Sequence, residues 1–177
     1  MMKKPACPII AIEENYWDPE LAKHYTPAEL SRGATAERLY DFTTTRINEM
    51  DEAGIDMQVL SHAQPATQKF DPETAVRLAR ETNDRLHRSI QADPNRFAAF
   101  GILPTPDPKA SADELERMVT KLGFKGAMVH GLTHGRFLDE KDFWPIFERA
   151  QVLDVPLYIH PATPNPKVIE AYLGRGL

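Results

Sequence analysis

Short apolar runs alternate along the chain with longer segments in which apolar residues recur every three or four positions. This alternation is typical of repeated βα units, in which a buried strand is followed by a helix that packs against it. Three of the runs are nearly uninterrupted, as expected of parallel strands covered on both faces. The runs that fit strands are residues 8–12, 55–60, 97–103, 124–129 and 155–159. The pattern therefore predicts a parallel α/β fold.

The segments between these runs carry signals for the starts and ends of helices. Residues 26–29 read Thr-Pro-Ala-Glu, a capping box with proline at the first helical position. Asp71 and Asp107 also precede prolines and predict two further helix starts. One apolar stripe at helical spacing consists of Leu115, Met118, Val119 and Leu122. Gly123 follows it and predicts the end of that helix.

Composition narrows the class of partner. The chain has 177 residues, of which 42% are hydrophobic and 27% charged, as in an ordinary globular domain. The formal net charge is -5 and the sequence has no Lys/Arg tract, so it gives no sign of a basic surface that would bind nucleic acid or an anionic membrane. The single cysteine fits a reducing compartment, so we expect a cytoplasmic protein. The expected partner is a small molecule.

Two of the apolar runs end on potential metal ligands, Glu13 and His160. The carboxyl ends of parallel strands form the active face of a barrel or a doubly wound sheet, so these side chains are candidates for one site. A nucleotide-binding open sheet is disfavoured because neither G-x-G-x-x-G nor G-x-x-x-x-G-K-[ST] occurs. A complete barrel needs about 250 residues. We therefore expect residues 1–177 to form a single domain that is the amino-terminal part of a barrel.

Five stretches, in order, resemble a known family. They read I-A-I-E-E-N at 10–15, R-I-N-E-M-D-E-A-G-I-D at 46–56, N-D at 83–84, F-K-G at 124–126 and P-L-Y-I-H-P at 156–161. The chain resembles the aminocarboxymuconate-semialdehyde decarboxylase branch of the amidohydrolase superfamily. Within it, the chain is most similar to nonoxidative decarboxylases of resorcylates, dihydroxybenzoates and carboxyvanillate.

The resemblance implies a (β/α)8 TIM barrel, of which this chain covers about the first five βα units. It also implies one divalent metal, bound by a glutamate after strand one, a histidine after strand five and an aspartate after strand eight. The first two ligands map onto Glu13 and His160. The aspartate, a histidine after strand six and the proton donor would lie beyond Leu177.

A third metal ligand is suggested by alternation along the first strand. Glu13 and Asn15 should both point into the barrel mouth, while Glu14 points away. Many relatives have histidine where this chain has Asn15. An amide oxygen suits Mg²⁺ or Mn²⁺ better than Zn²⁺. We therefore expect Mn or Mg at this site, with Zn as the alternative.

Four further residues are candidates for substrate binding. His130 and His62 follow strands that end at the mouth, although His130 could instead cap a loop. Tyr16 and Trp17 could wall an aromatic substrate, with packing under the first loop as the alternative.

The predicted function is metal-dependent nonoxidative decarboxylation of a hydroxylated aromatic or related carboxylic acid by a carbon-carbon lyase. One alternative is a metal-dependent hydrolase of the same superfamily, which product analysis would separate from the lyase. The other is a truncated, noncatalytic fragment. The complete protein is expected to be a homo-oligomer that acts on a small carboxylic acid.

Overall fold

The computed structural model describes residues 5–31, 33–162 and 164–176. The strands in this part of the chain are β1 (Ile10–Tyr16), β2 (Met57–His62), β3 (Phe97–Ala99), β4 (Gly101–Ile102), β5 (Ala127–His130) and β6 (Leu157–His160). The α-helices are α1 (Pro19–Ala22), α2 (Thr44–Ala53), α3 (Pro72–Ile90), α4 (Pro108–Leu122), α5 (Trp144–Leu153) and α6 (Pro166–Leu173). Short 3-10 helices cover Gly33–Thr35, Glu37–Tyr40 and Lys141–Phe143.

Every hydrogen-bonded pair of these strands is parallel, in the orders β1-β2-β3 and β4-β5-β6. The predicted third strand is split at Phe100, whose N–H donates to the Leu60 carbonyl at 2.9 Å. The next N–H, of Gly101, donates to the Gly126 carbonyl of the following unit at 3.0 Å. The five predicted runs therefore occupy five successive positions around a curved parallel sheet, in sequence order.

β1 begins later than predicted and continues further. It extends through Tyr16 because the polar residues after Ile12 still pair with β2. Its register shifts within the strand, since Ala11 pairs with Gln58 whereas Glu14 pairs with Leu60. Two residues of β1, Ile12 and Glu13, therefore lie opposite one residue of β2, Val59. This arrangement is a β-bulge in β1.

Two of the three predicted helix starts are confirmed. The Asp71 carboxylate accepts from the Thr74 N–H, and the Asp107 carboxylate from the Ala110 N–H, both at 3.0 Å. These caps begin α3 and α4. The helix predicted at residues 26–29 is wrong, although the Thr26 N–H does donate to the Glu29 carboxylate at 2.7 Å. The chain makes one turn there and leaves it for the 3-10 helix at Gly33, whose φ of 55° is left-handed.

The sheet separates two layers of core. Its concave face carries Val59, Ala98, Phe100 and Met128, which pack with Tyr158. A larger cluster lies between the strands and the helices and includes Leu60, Leu86, Leu115, Met118, Val129 and Phe143. Neighbours such as Val59 and Leu60 thus face opposite layers, as strand alternation requires. No helix in the described residues combines the length and apolar character needed to cross a bilayer.

Candidate active site

Glu13, in the middle of β1, and His160, at the carboxyl end of β6, come together. The Glu13 Oε1 atom lies 3.1 Å from the His160 Nε2 atom, although 147 positions separate the residues along the chain. The His160 side chain is 18% exposed and that of Glu13 is 48% exposed, so the pair lies at an accessible surface. The sheet thus brings together the two residues that the sequence proposed as ligands.

The two ring nitrogens of His160 have different partners: Nδ1 faces the Pro161 carbonyl oxygen and Nε2 faces Glu13. His160 Nδ1 lies 2.6 Å from the Pro161 carbonyl oxygen, which can only accept, so Nδ1 carries the proton. In the neutral ring Nε2 is then an unprotonated acceptor. A lone pair and a carboxylate oxygen repel each other unless a proton or a cation lies between them. The arrangement suits a shared divalent ion, since adjacent ligands about 2.1 Å from one ion are roughly 3.0 to 3.4 Å apart.

Asn15 pairs in register with Ser61 on β2. The Asn15 Oδ1 atom is buried and has no hydrogen-bond partner, so an amide oxygen with free lone pairs lies two residues from Glu13. The backbone here is held by Arg46 of α2, which donates to the Asn15 carbonyl oxygen at 2.8 Å and to Gln58 Oε1 at 3.1 Å. The donor set of Glu13, His160 and Asn15 therefore fits a metal that accepts mixed oxygen and nitrogen ligands. No group of three or more His, Cys, Asp or Glu side chains that could hold a metal ion occurs in residues 5–31, 33–162 and 164–176.

His130 lies beside His160 in the register of β5 and β6, with the ring centroids 5.1 Å apart. Its Nε2–H donates to the His62 carbonyl oxygen at 2.8 Å, which leaves a buried Nδ1 without a partner. Burial lowers the pKa of His130 to about 4, so the ring is neutral at pH 7. Gln68 fixes the backbone of His130 by accepting from its N–H at 2.6 Å and donating to its carbonyl oxygen at 3.1 Å.

The other three predicted substrate contacts lie away from the mouth, which corrects their expected placement. Tyr16 and His62 are register partners on the helix side of the sheet, where their rings pack edge to face at 5.1 Å. The Tyr16 ring also contacts Phe42 and is 2% exposed. Trp17 is 1% exposed and packs against Tyr40. Because Asn15 faces the mouth, alternation turns Tyr16 and its register partner His62 toward the helices. Trp17 lies just beyond the end of β1 and is buried in the core.

A cavity of about 310 Å³ opens next to His130. Its volume is at the lower end of the range for small-molecule pockets, roughly 300 to 1,000 Å³. The loops after β2 and β5 form its walls, and Ala162 connects it to the His160 segment. Its lining residues are Gln64, Pro65, Gln68, Lys69, His130, Leu132, His134 and Ala162.

Comparison with known proteins identifies the family. A family model described as Amidohydrolase matches residues 15–173. The chain belongs to the amidohydrolase family. Its resemblance to the decarboxylases of that superfamily, predicted from five sequence stretches, is confirmed by the relatives described next.

This amidohydrolase chain is 40% identical over 145 residues to the gamma-resorcylate decarboxylase of Polaromonas sp. (strain JS666 / ATCC BAA-500), covering 78% of the chain and 44% of that relative. The crystal structure of a dihydroxybenzoic acid decarboxylase from Polaromonas sp. JS666, with bound manganese and the inhibitor 2-nitroresorcinol, matches with a TM-score of 0.83 and 36% identity. That match covers 96% of this chain and 54% of the other. The 5-carboxyvanillate decarboxylase LigW from Sphingomonas paucimobilis matches with a TM-score of 0.84 and 33% identity, covering 93% and 55%.

These matches confirm the predicted fold class, a parallel α/β fold belonging to the TIM-barrel amidohydrolases. The chain spans about half the length of the relatives it matches.

Sequence reasoning missed three residues that organise this amidohydrolase site. Tyr158 donates its hydroxyl proton to Glu13 Oε2, Gln68 holds His130, and Arg46 holds the backbone of Asn15. Only Tyr158 had a usable signal, since it lies two residues before His160 and therefore on the same face of the strand. Gln68 and Arg46 lie in a loop and a helix, where sequence spacing does not predict what a side chain reaches.

Proposed function

We propose that this chain contributes the amino-terminal part of the active site of a metal-dependent nonoxidative decarboxylase that acts on a hydroxylated aromatic acid. The observation that carries the proposal is the 3.1 Å approach of Glu13 Oε1 to Nε2 of His160. The relatives support it, because the three described above are named as decarboxylases of resorcylate, dihydroxybenzoic acid and carboxyvanillate, and one has bound manganese and the inhibitor 2-nitroresorcinol.

In the proposed site Glu13 and His160 hold a divalent cation, and Asn15 offers its amide oxygen as a further ligand. Mn²⁺ or Mg²⁺ suits these donors better than Zn²⁺ because one of them is a neutral carbonyl oxygen. A bound cation would act as a Lewis acid on the carboxylate and the adjacent phenolic oxygen of the substrate. We further propose that the aspartate ligand implied by the resemblance lies outside residues 1–177.

The cavity beside His130 would receive the aromatic ring. His130 is held neutral, and its Nδ1 is an acceptor for a substrate hydroxyl group that approaches through this cavity. The reaction breaks the bond between the ring carbon and the carboxylate carbon, releases CO2 and adds one proton to the ring carbon. We propose that the acid supplying that proton also lies outside these residues.

The first test is Mn²⁺ binding to a version extended by three further βα units, measured by electron paramagnetic resonance of the free ion. Wild type should bind, and Glu13→Gln and His160→Ala should each lower the affinity at least tenfold, because removing either ligand leaves the ion with one of the pair. Glu20→Gln changes an exposed carboxylate on α1 and serves as the matched control, with affinity unchanged.

The second test is product analysis with 2,6-dihydroxybenzoate. A version extended by three further βα units should release CO2 and leave the ring intact, whereas the 177-residue chain should release none. A ring-opened product would contradict the lyase assignment and favour the hydrolase. Activity of the short chain would contradict the proposal that ligands and the proton donor lie outside it.

A further inference from the structure

Glu13 uses its two carboxylate oxygens for different partners. Oε1 faces His160 Nε2, while Oε2 accepts the hydroxyl proton of Tyr158. A carboxylate can bind a divalent ion through one oxygen or through both. With Oε2 engaged by a neutral donor, only Oε1 keeps its lone pairs directed at the His160 side.

The phenol of Tyr158 is held in place independently of Glu13. Tyr158 pairs in register with Met128 in the middle of the sheet, and its ring stacks on Phe100 with centroids 6.1 Å apart and planes inclined by 26°. Both contacts belong to the apolar cluster on the concave face. The hydroxyl is therefore delivered to Glu13 by a packed ring on a strand rather than by a mobile surface side chain.

One strand supplies both groups that act on Glu13. Tyr158 and His160 are two residues apart on β6 and so point to the same face. The spacing places the Tyr158 hydroxyl on one oxygen of Glu13 and the Nε2 atom of His160 beside the other. Carboxylate ligands in metal sites are commonly oriented by such outer hydrogen bonds, and their loss typically lowers metal affinity by about 10- to 100-fold.

We propose that Tyr158 is a positioning residue that restricts Glu13 to binding the divalent ion through Oε1 alone. This inference rests on the metal site of the proposed function. It assigns no contact between Tyr158 and the ion, since the hydroxyl acts through the carboxylate.

The test compares Tyr158→Phe with Tyr172→Phe in the version extended by three further βα units. The first change keeps the ring and its stacking on Phe100 but removes the hydroxyl, and the second removes a hydroxyl from an exposed tyrosine on α6. Mn²⁺ affinity is measured by electron paramagnetic resonance, and folding without metal is checked by circular dichroism. Tyr158→Phe should weaken Mn²⁺ binding about 10- to 100-fold, and Tyr172→Phe should match wild type.

A second readout reports the binding mode of the carboxylate. The infrared difference spectrum between metal-bound and metal-free chain contains the carboxylate stretches of Glu13, identified by their absence in Glu13→Gln. Their separation should indicate one-oxygen binding in wild type and shift toward two-oxygen binding in Tyr158→Phe.

The outcomes separate this inference from the proposed function. Equal affinity and equal spectra of wild type and Tyr158→Phe, with Glu13→Gln impaired, would overturn the role of Tyr158 and leave the metal site standing. A further affinity loss from Tyr158→Phe in a Glu13→Gln background would also overturn it, because the hydroxyl would then act by another route. A wild-type chain that binds no Mn²⁺ would overturn both.

Discussion

At the scale of single residues, the two histidines of the mouth differ in which nitrogen they leave free. His160 donates its Nδ1–H to the Pro161 carbonyl oxygen and turns its Nε2 toward Glu13. His130 gives its Nε2 proton to the His62 carbonyl and keeps a buried Nδ1 lone pair. In both cases a backbone carbonyl selects the tautomer. The backbone of the strand ends therefore sets the chemistry of each imidazole.

His62 has a structural effect that depends on pH. Burial against Tyr16 and Tyr25 lowers its pKa to about 4, from an ordinary value near 6.5, because the charged ring would lose its hydration. Between these values the unfolded chain binds a proton that the folded chain does not. The stability is therefore complete above about pH 6.5 and is lost as the pH falls toward 4.

We expect this residue to lower the free energy of unfolding by about 2 kcal/mol between pH 7 and pH 5. His62→Leu should reduce the loss by about that amount, because leucine binds no proton in either state. Urea unfolding of both proteins at the two pH values measures the difference. An identical pH dependence in wild type and His62→Leu would show that burial does not shift this titration.

At the scale of elements, the backbone just before β5, at Gly126, lies in close contact with the backbone just before β6, at Pro156. Its φ is 149°, and a Cβ added there would overlap the carbonyl oxygen of Pro156. The same Pro156 oxygen accepts the Ala127 N–H at 3.3 Å, while the Gly126 carbonyl accepts from Gly101. The start of β6 can lie against β5 only because position 126 has no side chain.

Gly126→Ala should therefore destabilise the protein by roughly 2 to 4 kcal/mol, from backbone strain together with overpacking. Gly54→Ala is the matched control, since Gly54 also has a positive φ, of 73°, but an added Cβ there meets nothing within 4 Å. The control should cost about 1 kcal/mol. Chemical denaturation measures both, and equal losses would mean that β6 moves aside at no cost.

The elements also show how far sequence reasoning reaches. Strand positions and their parallel order were predictable because long apolar runs between amphipathic segments leave few alternatives. The starts of α3 and α4 were predictable because an aspartate before a proline caps a helix locally. The capping box at residues 26–29 formed its bonds without a helix, since local capping cannot supply the apolar face that sustains one.

The candidate site was predictable to the same extent. Glu13 and His160 were predicted from the ends of apolar runs and from the resemblance. Tyr16 and His62 were expected at the mouth, but each lies one residue after a residue that faces the mouth and so points to the opposite face of the sheet. Gln68 and Arg46 act through long-range contacts that no local pattern encodes.

At the scale of the whole molecule, β1 and β6 each have one hydrogen-bonded neighbour in the part of the chain that the structure describes. Ile12 on β1 is 49% exposed and Ile159 on β6 is 57% exposed. Open strand edges that carry apolar side chains favour pairing with other chains. The 177-residue chain, expressed alone, is therefore expected to self-associate.

Replacing Ile12 and Ile159 together by lysine should shift size-exclusion elution toward the monomer, because charged side chains disfavour edge pairing. Val152→Lys is the control, since Val152 is 81% exposed on α5 rather than on a strand, and the variant should elute like wild type. Monomeric elution of the unaltered chain would contradict this prediction.

The bulge in β1 decides which of two adjacent acids serves the site. In an uninterrupted strand Glu13 would stand opposite Leu60 and turn toward the helices, while Glu14 would take the place opposite Ser61 that Asn15 now holds. The extra residue shifts the register of the following side chains by one position. Glu13 therefore reaches His160, and Asn15 faces the barrel mouth. Deletion of Ile12 would remove the bulge and leave Glu13, Glu14 and Asn15 opposite the same β2 positions, whereas pairing that kept Ile12 without a bulge would exchange the faces of the two acids. The identity of the ligand is thus set by the bulge as much as by the glutamate itself.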